Sequence, residues 1–465
     1  MVISKARTLM MGLAAAVMTA APVFSETLGD ALVLAYRNSQ LLEQNRALLR
    51  ATDEGVARSV AALRPTIDFV LQSGYAKNDV QVSAGPGLTR QTRVEALSTT
   101  ASLTASLVLY NGGASRLAVQ AAKESVLATR QALIGVEQNV LLSAVQAYMR
   151  LRLAQDIVAL RQGNVRVLAR EMQAATDRFE LGEITRTDVA LAEARLAAAR
   201  AQLTAAEGDV LVGRETYQLA VGQAPGRLSA PPRQPVTARS VEEAKRIARQ
   251  QHYAIRQMQH QLAAADLNVK IAEAAMGPNI ALSAGLSHDN QGMTDRTLGL
   301  RLSQPIYRGG ALSSEHRRAI ANRDAVRAQL HHTVAQVEQA VGEAWAMRLV
   351  TSASITAMDR QITAARAAYD GVREETRLGA RTTLDLLNAE QELLSAQASR
   401  LEAVTSQYVA NYSLLAAMGY LTVDHLKLGI PTYDVSAYYN AVKSAPVTSP
   451  QGQRLDRILQ SSGRK

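Results

Sequence analysis

Four segments of the chain alternate apolar and polar residues with a period of two. Ile67, Phe69, Leu71 and Tyr75 alternate with Asp68, Gln72 and Gly74, and Leu103, Ala105, Leu107 and Leu109 oppose Ser102, Thr104 and Ser106. Further on, Ile280, Leu282, Ala284 and Leu286 alternate with Asn279, Ser283 and Ser287. Leu298, Leu300, Leu302 and Ile306 then alternate with Thr297, Arg301 and Ser303. This period places successive side chains on opposite faces of a strand. Sustained for about ten residues, it suits a strand with lipid on one face and water on the other. A soluble, half-buried strand is the more common source of such a pattern. Four strands cannot organise a chain of 465 residues that is otherwise helical, which favours the membrane reading. The spacing predicts strands over about 66–76, 98–110, 279–288 and 297–307.

A longer period governs the rest. No Pro occurs between Gly113 and Gly182, and Val119, Val126, Leu133 and Val140 recur at steps of seven. After one step of four, Ala144, Leu151, Val158, Val165, Met172 and Phe179 continue the series. A four-residue slip of this kind locally unwinds a coiled coil. Ile355, Ile362 and Tyr369 keep a weaker version of the register. Helices are predicted over 113–181, 186–222, 310–378 and 383–419, and the longest would be rods of ~100 Å. A rod of that length must bury its seam against partner helices.

The chain is internally duplicated. Thr27 to Pro65 aligns with Ser240 to Pro278 at a shift of 213, and Tyr110 to Gly222 aligns with Tyr307 to Gly419 at a shift of 197. The shift changes once, so the first copy carries 16 extra residues (213 less 197) around Ala84-Gly85-Pro86-Gly87. Insertions collect in loops, and a loop is expected there. Each copy reads helix, strand, loop, strand, very long helix, Gly-centred break, helix. The first repeat spans 26–222 and the second 241–425, joined by a linker over 223–240 that holds Pro225, Pro231, Pro232 and Pro235. Residues 426–465 form a C-terminal segment, rich in Ser, Gln and Gly from about Ser444 and expected to be partly disordered.

Composition narrows the function. With no Cys, the chain has no disulfide, thiolate metal site, Cys nucleophile or lipidated N-terminal Cys. The formal charge of +10 would allow an anionic partner. However, residues 1–25 read as a signal peptide: Lys5 and Arg7 precede the uncharged run Thr8 to Ala21, and Pro22-Val23-Phe24-Ser25 offers a cleavage site before Glu26. Removal of Lys5 and Arg7 lowers the charge by two, and export makes a nucleic-acid partner untenable. Ala96 to Ser115 and Ala403 to Val423 lack charge but are too polar for a membrane helix. Four strands are also too few to close a barrel, since spanning sheets have no free edge and the smallest have about eight strands. The chain must supply a fraction of one. Two, three or four copies would give 8, 12 or 16 strands.

These features resemble the TolC-type outer-membrane efflux proteins, the exit ducts of multidrug efflux and type I secretion systems. The resemblance runs from the start of the mature chain to about residue 425. It is carried by paired strand-to-helix joints, Tyr110-Asn-Gly-Gly113 and Tyr307-Arg-Gly-Gly310. It is carried equally by paired tips, Phe179-x-x-Gly-x-x-Thr-x-x-Asp-Val and Arg377-Leu-Gly-x-x-Thr-x-x-Asp-Leu. It implies an α+β membrane protein: a homotrimeric 12-stranded β-barrel continuing into a long α-helical barrel in the periplasm of a Gram-negative cell. It also implies contact with outer-membrane lipid, a periplasmic adaptor (membrane fusion) protein, and an inner-membrane ABC or RND-type transporter that supplies the energy.

At the tips, Gly182 and Gly379 suit the left-handed conformation that ends a helix. Thr185 and Thr382 are N-cap candidates with Asp188 and Asp385 three residues on, a capping-box pattern that alone accounts for the repeated Thr-x-x-Asp. The resemblance adds a gate. It places Asp385 at a pore constriction, where three carboxylates about an axis raise one another's pKa. Asn388 stands where a second acidic ring often lies. The resemblance also assigns Arg381 to a gate-locking contact received by Thr187 and Asp188, and Leu181, Gly182, Leu378 and Gly379 to adaptor docking. Thr376 replaces a Tyr that helps closure, so a looser lock is expected.

No other chemistry competes. His331 and His332 point apart on a helix, His252 and His260 lack a metal-ligand pattern, and there is no phosphate-binding loop. No cofactor or metal is expected. A non-pore structural coiled-coil protein of the periplasm or cell surface is the main alternative, disfavoured by strand alternation and the duplication. A periplasmic enzyme lacks any catalytic constellation.

Overall fold

The computed structural model describes residues 25–85, 88–232, 234–235, 238–454 and 457. The expected signal peptide, apart from Ser25, and Pro86-Gly87 lie outside the described residues. Thirteen elements follow one another: α1 (Leu28–Asn38), α2 (Gln40–Ala61), β1 (Thr66–Gly85), β2 (Leu88–Tyr110), α3 (Ala114–Glu180), α4 (Arg186–Val221), α5 (Val241–Gln251), α6 (Tyr253–Ala274), β3 (Asn279–Asp289), β4 (Thr294–Ser303), α7 (Ala311–Arg377), α8 (Thr383–Ala417) and α9 (Ala437–Val442). They form two compact units. One comprises residues 25–39, Ser143–Pro235 and Thr351–Val409, and the other Gln40–Leu142, Val236–Val350 and residues 410–454.

In the second unit the strands make one antiparallel sheet in the order β1-β2-β3-β4. The register aligns the alternating residues. Phe69 faces Leu103, which faces Leu286; Leu107 faces Leu282, which faces Leu300. Every apolar row therefore falls on one side of the sheet and Thr104, Gly285 and Thr297 on the other. On β2 the apolar rows run from Leu97 to Leu107; ten steps of ~3.4 Å, tilted by ~40°, rise ~26 Å, close to the apolar band of a membrane barrel. Ile67, Phe69, Leu298 and Leu300 are each at least two-thirds exposed in the single chain.

Three expectations are corrected. On either side of Pro86-Gly87 the 16-residue insertion is strand rather than loop: β1 and β2 stay paired as far as Gly85 and Leu88. Val80, Val82, Thr89, Thr92 and Val94 are β-formers, and antiparallel pairing, once begun, extends at little cost in chain entropy. The fourth strand stops at Ser303 rather than 307, where Pro305 offers no N–H to a ladder. The single leading helix of each repeat is two helices. Ser39 and His252, equivalent at the 213 shift, are extended (ψ 111° and 127°). Each break faces a glycine that ends the repeat's last helix. A Cβ on Gly222 would lie 2.5 Å from the Cβ of Asn38, and one on Gly419 would lie 3.0 Å from the Cα of His252. Gly222 and Gly419, at φ 80° and 81°, are equivalent at the 197 shift.

The caps repeat as well. Thr27 accepts from the Asp30 N–H and Ser240 from the Glu243 N–H, satisfying otherwise unpaired first-turn donors. In the first unit, Glu26 pairs with Leu228 of the linker in a parallel bridge. Its carboxylate accepts from the Tyr217 hydroxyl (2.5 Å) and the Gly226 N–H (2.9 Å).

The heptad of α3 is buried from Val119 to Leu151. Beyond it the buried positions are Asn164, Leu168 and Ala175, while Val165 and Met172 are only partly covered. The seam has moved because Leu168 packs with Leu196, Ala199 and Leu387, a contact set by two other helices rather than by α3 alone. In the second unit Ala244, Ala248, Ile255, Val337, Val341 and Leu414 form a core. The C-terminal segment is tied to α2, where Tyr438 donates to Glu54 (2.6 Å) and Arg64 to the Ala445 carbonyl (2.6 Å).

Candidate functional site

Both tips lie in the first unit and are built alike. α3 ends when the Gly182 N–H reaches the Phe179 carbonyl (2.9 Å) and the Glu183 N–H reaches that of Arg178 (2.9 Å). α7 ends in the same way, through Gly379 to Thr376 (3.2 Å) and Ala380 to Glu375 (2.8 Å). This double closure requires a left-handed residue, and Gly182 and Gly379 have φ of 78° and 76°. The next helix then starts on a capping box. Thr185 and Asp188 exchange hydrogen bonds at 3.1 and 3.4 Å, and Thr382 and Asp385 do so at 3.1 and 3.2 Å. The turns leave Leu181 and Leu378 75% and 84% exposed, an apolar residue at the apex of each tip.

The residues assigned to a gate fall into separate groups. The Thr382 hydroxyl and backbone N–H both bond to the Asp385 carboxylate and hold its pKa below the usual range, with Arg381 adding to the effect. Within one chain this opposes the rise that a three-fold ring would bring. Arg381 donates to Glu375 on its own hairpin (2.9 Å), which raises its pKa further. It makes no hydrogen bond or ion pair to Thr187 or Asp188 within the chain, and the Asp188 carboxylate is engaged by Thr185 at 2.7 Å. Asn388 accepts from Arg195 of α4 (3.1 Å), a link between the repeats. Thr376 is buried, its hydroxyl donating to the Val372 carbonyl (2.7 Å).

One polar pair above the tips was not anticipated. Asn164 on α3 donates to Glu390 on α8 (2.9 Å), with both side chains buried. The second carboxylate oxygen has no partner. The pair borders a cavity of about 410 Å³ that Leu160, Val167, Tyr369 and Leu394 also line. Burial raises the Glu390 pKa to about 7, against the lowering effect of Asn164 and with added repulsion from Glu171. A signal exists in the sequence: Glu390 interrupts the apolar stripe Leu386, Leu387, Leu393, Leu394, and Asn164 interrupts Leu160 and Leu168. Polar residues on such stripes are functional or paired.

Among the described residues no group of three His, Asp or Glu side chains is placed to hold a metal ion, and no helix is long and apolar enough to cross a membrane. The chain thus presents a four-stranded sheet, apolar on one face, and two hairpin tips that end helices of 67 residues each.

Comparison with known proteins gives the same frame. The family model described as outer membrane efflux protein matches residues 31–223 and 246–420. The chain is 35% identical over 438 residues to the outer membrane efflux protein BepC of Brucella suis, covering 93% of both chains. It is 25% identical over 339 residues to the outer membrane protein TolC of Escherichia coli K12, covering 68% of this chain and 66% of that one. Its fold is similar to that of the Campylobacter jejuni CmeC outer membrane channel, with a TM-score of 0.74, 16% identity, and coverage of 91% and 90%. The chain therefore belongs to the outer membrane efflux protein family.

Proposed function

We propose that three copies of this chain assemble into an exit duct for drugs or secreted proteins, a 12-stranded barrel in the outer membrane drawn out into a helical tunnel. The observation that carries this reading is the sheet: four strands with all apolar rows on one face and an unpaired edge at each end. Such a sheet satisfies its backbone in lipid only by closing with others. Exposed Leu211, Val212, Leu219 and Val350 on the helices add apolar surface for neighbouring copies to cover.

The tips serve the two other roles. Leu181 and Leu378, projected by Gly182 and Gly379, dock a periplasmic adaptor protein, which joins the duct to an ABC or RND-type inner-membrane transporter. Asp385 lines the constriction, with Asn388 one helical step along. Arg381 locks the closed state, reaching Thr187 and Asp188 of the neighbouring hairpin when it leaves Glu375. The duct is passive, and its energy comes from the transporter. Planar-bilayer recording of the purified protein tests this: discrete openings from a heat-modifiable trimer are expected. A monomer without conductance would favour the non-pore coiled-coil alternative.

A further inference from the structure

The edges β1 and β4 are each paired on one side only. At the repeat shifts of 213 and 197, β1 corresponds to β3 and β2 to β4. The pairing within the hairpins obeys both shifts. Thr66 faces Ser106, and their counterparts Asn279 and Ser303 face each other; Phe69 faces Leu103, and their counterparts Leu282 and Leu300 do the same. The two hairpins are thus one unit, equivalent pair by pair. They meet through β2 and β3, where Leu103 faces Leu286 and Thr104 faces Gly285. In a closed ring of such hairpins, β4 of one chain meets β1 of the next as β2 meets β3.

We infer that β4 pairs with β1 of a second copy in the register obtained by carrying the β2–β3 pairs through the two shifts. This rests on the barrel reading above. Thr104 becomes Arg301 and Gly285 becomes Gln72, so Arg301 lies opposite the partner's Gln72. Likewise Leu300 lies opposite the partner's Ser73, Leu302 opposite the partner's Leu71, and Leu298 opposite the partner's Tyr75. The pairs carried over run from Thr297 with the partner's Ala76 to Ser303 with the partner's Val70.

The chemistry of the two faces agrees. Leu298, Leu300 and Leu302 join the apolar rows, while Arg301 and Gln72 share the polar face with Gly299 and Gly74. A slip of one residue would turn Arg301 to the lipid. A slip of two would keep the faces, so the equivalence of the hairpins is what selects this register. Beyond Leu298 on β4, Arg296 stands on the apolar face opposite Leu286, and the same register sets it beside the partner's Lys77, whose ammonium pairs with Glu95 within its own chain. The carboxylate there offsets the repulsion of two cations at the rim. Residues of β1 beyond Asp79 have no β4 residue to meet and pair only with β2.

The absence of native Cys makes the seam directly readable. Residues directly opposite across antiparallel strands have Cα atoms ~4.5–5.5 Å apart, within disulfide reach, and residues two positions off lie ~7–8 Å apart, beyond it. The full-length double variant Q72C/R301C, oxidised in isolated outer membranes, should run as covalent dimers and trimers on a non-reducing gel. V70C/R301C and G74C/R301C should yield at least fivefold less. Preferential cross-linking of either control, or no cross-link from any pair in a chain that still forms the heat-modifiable trimer, overturns the register and leaves the barrel intact. A Cys-free parent that runs only as monomer overturns the barrel reading, and the seam with it.

Discussion

Replacing Glu390 by glutamine removes a charge that the fold holds at a cost. The carboxylate is 7% exposed, accepts one hydrogen bond from Asn164 and leaves its second oxygen unpartnered. Arg166, Arg170 and Tyr369 border the same cavity, Glu171 repels it, and Arg195 on the α4 side is engaged with Asn388. A pKa raised from 4.5 to about 7 corresponds to about 3 kcal/mol against the charged form. The sign follows from linkage. The folded value lies above the unfolded one, so the unfolded state loses its proton first as pH rises. The contribution to stability is complete below pH 4.5, falls through the interval up to about 7, and is gone above it. Glu390→Gln keeps an oxygen for Asn164 and titrates nowhere in that interval. Unfolding entropy of ~2.1 cal/mol/K per residue amounts to ~1 kcal/mol/K for this chain, so 3 kcal/mol is worth ~3 °C. Calorimetry at a fixed scan rate should therefore show the variant gaining on the parent by up to ~3 °C between pH 4.5 and 8. Melting curves that stay parallel over that range would refute the reasoning.

Gly222→Ala should destabilise by ~2–4 kcal/mol in denaturant titration, because φ of 80° and a Cβ 2.5 Å from that of Asn38 act together. Thr382→Ala should cost ~0.5–2 kcal/mol of stability by uncapping α8. It should also move the Asp385 pKa up toward the ordinary carboxylate range, seen as cation block of the channel fading at a higher pH than in the parent. Arg381→Ser should raise single-channel conductance if Arg381 locks the gate, whereas an unchanged conductance removes that assignment. Glu375→Gln, which frees Arg381 from its partner within the chain, should lower conductance by strengthening the lock.

The legible part of this protein lies in its periods. Alternation at two placed Phe69, Leu103, Leu282 and Leu300 in strands and on a common face, because side-chain direction in a strand depends only on parity. The two Thr-x-x-Asp tips were legible for a similar reason, since a capping box joins residues three apart. The breaks at Ser39 and His252 were not, because nothing within four residues of either demands one. Each break faces a glycine far along the chain, at Gly222 or Gly419. The pairing across the β1–β2 insertion is not legible in the sequence, because an inserted length says nothing about whether its two halves pair.

By itself, then, the sequence determined the places of the four strands and their faces, the two longest helices, the duplication, and the family. Each of these follows from residues close together or from one copy matched to the other. Only the tertiary structure decided that the α3 seam moves to Asn164 and Leu168, that Asn164 meets Glu390, and that Asn388 is engaged by Arg195. Those contacts depend on how far one helix is slid and turned against another. A helix with an apolar stripe can satisfy that stripe at several offsets, and packing among α3, α4 and α8 selects one of them.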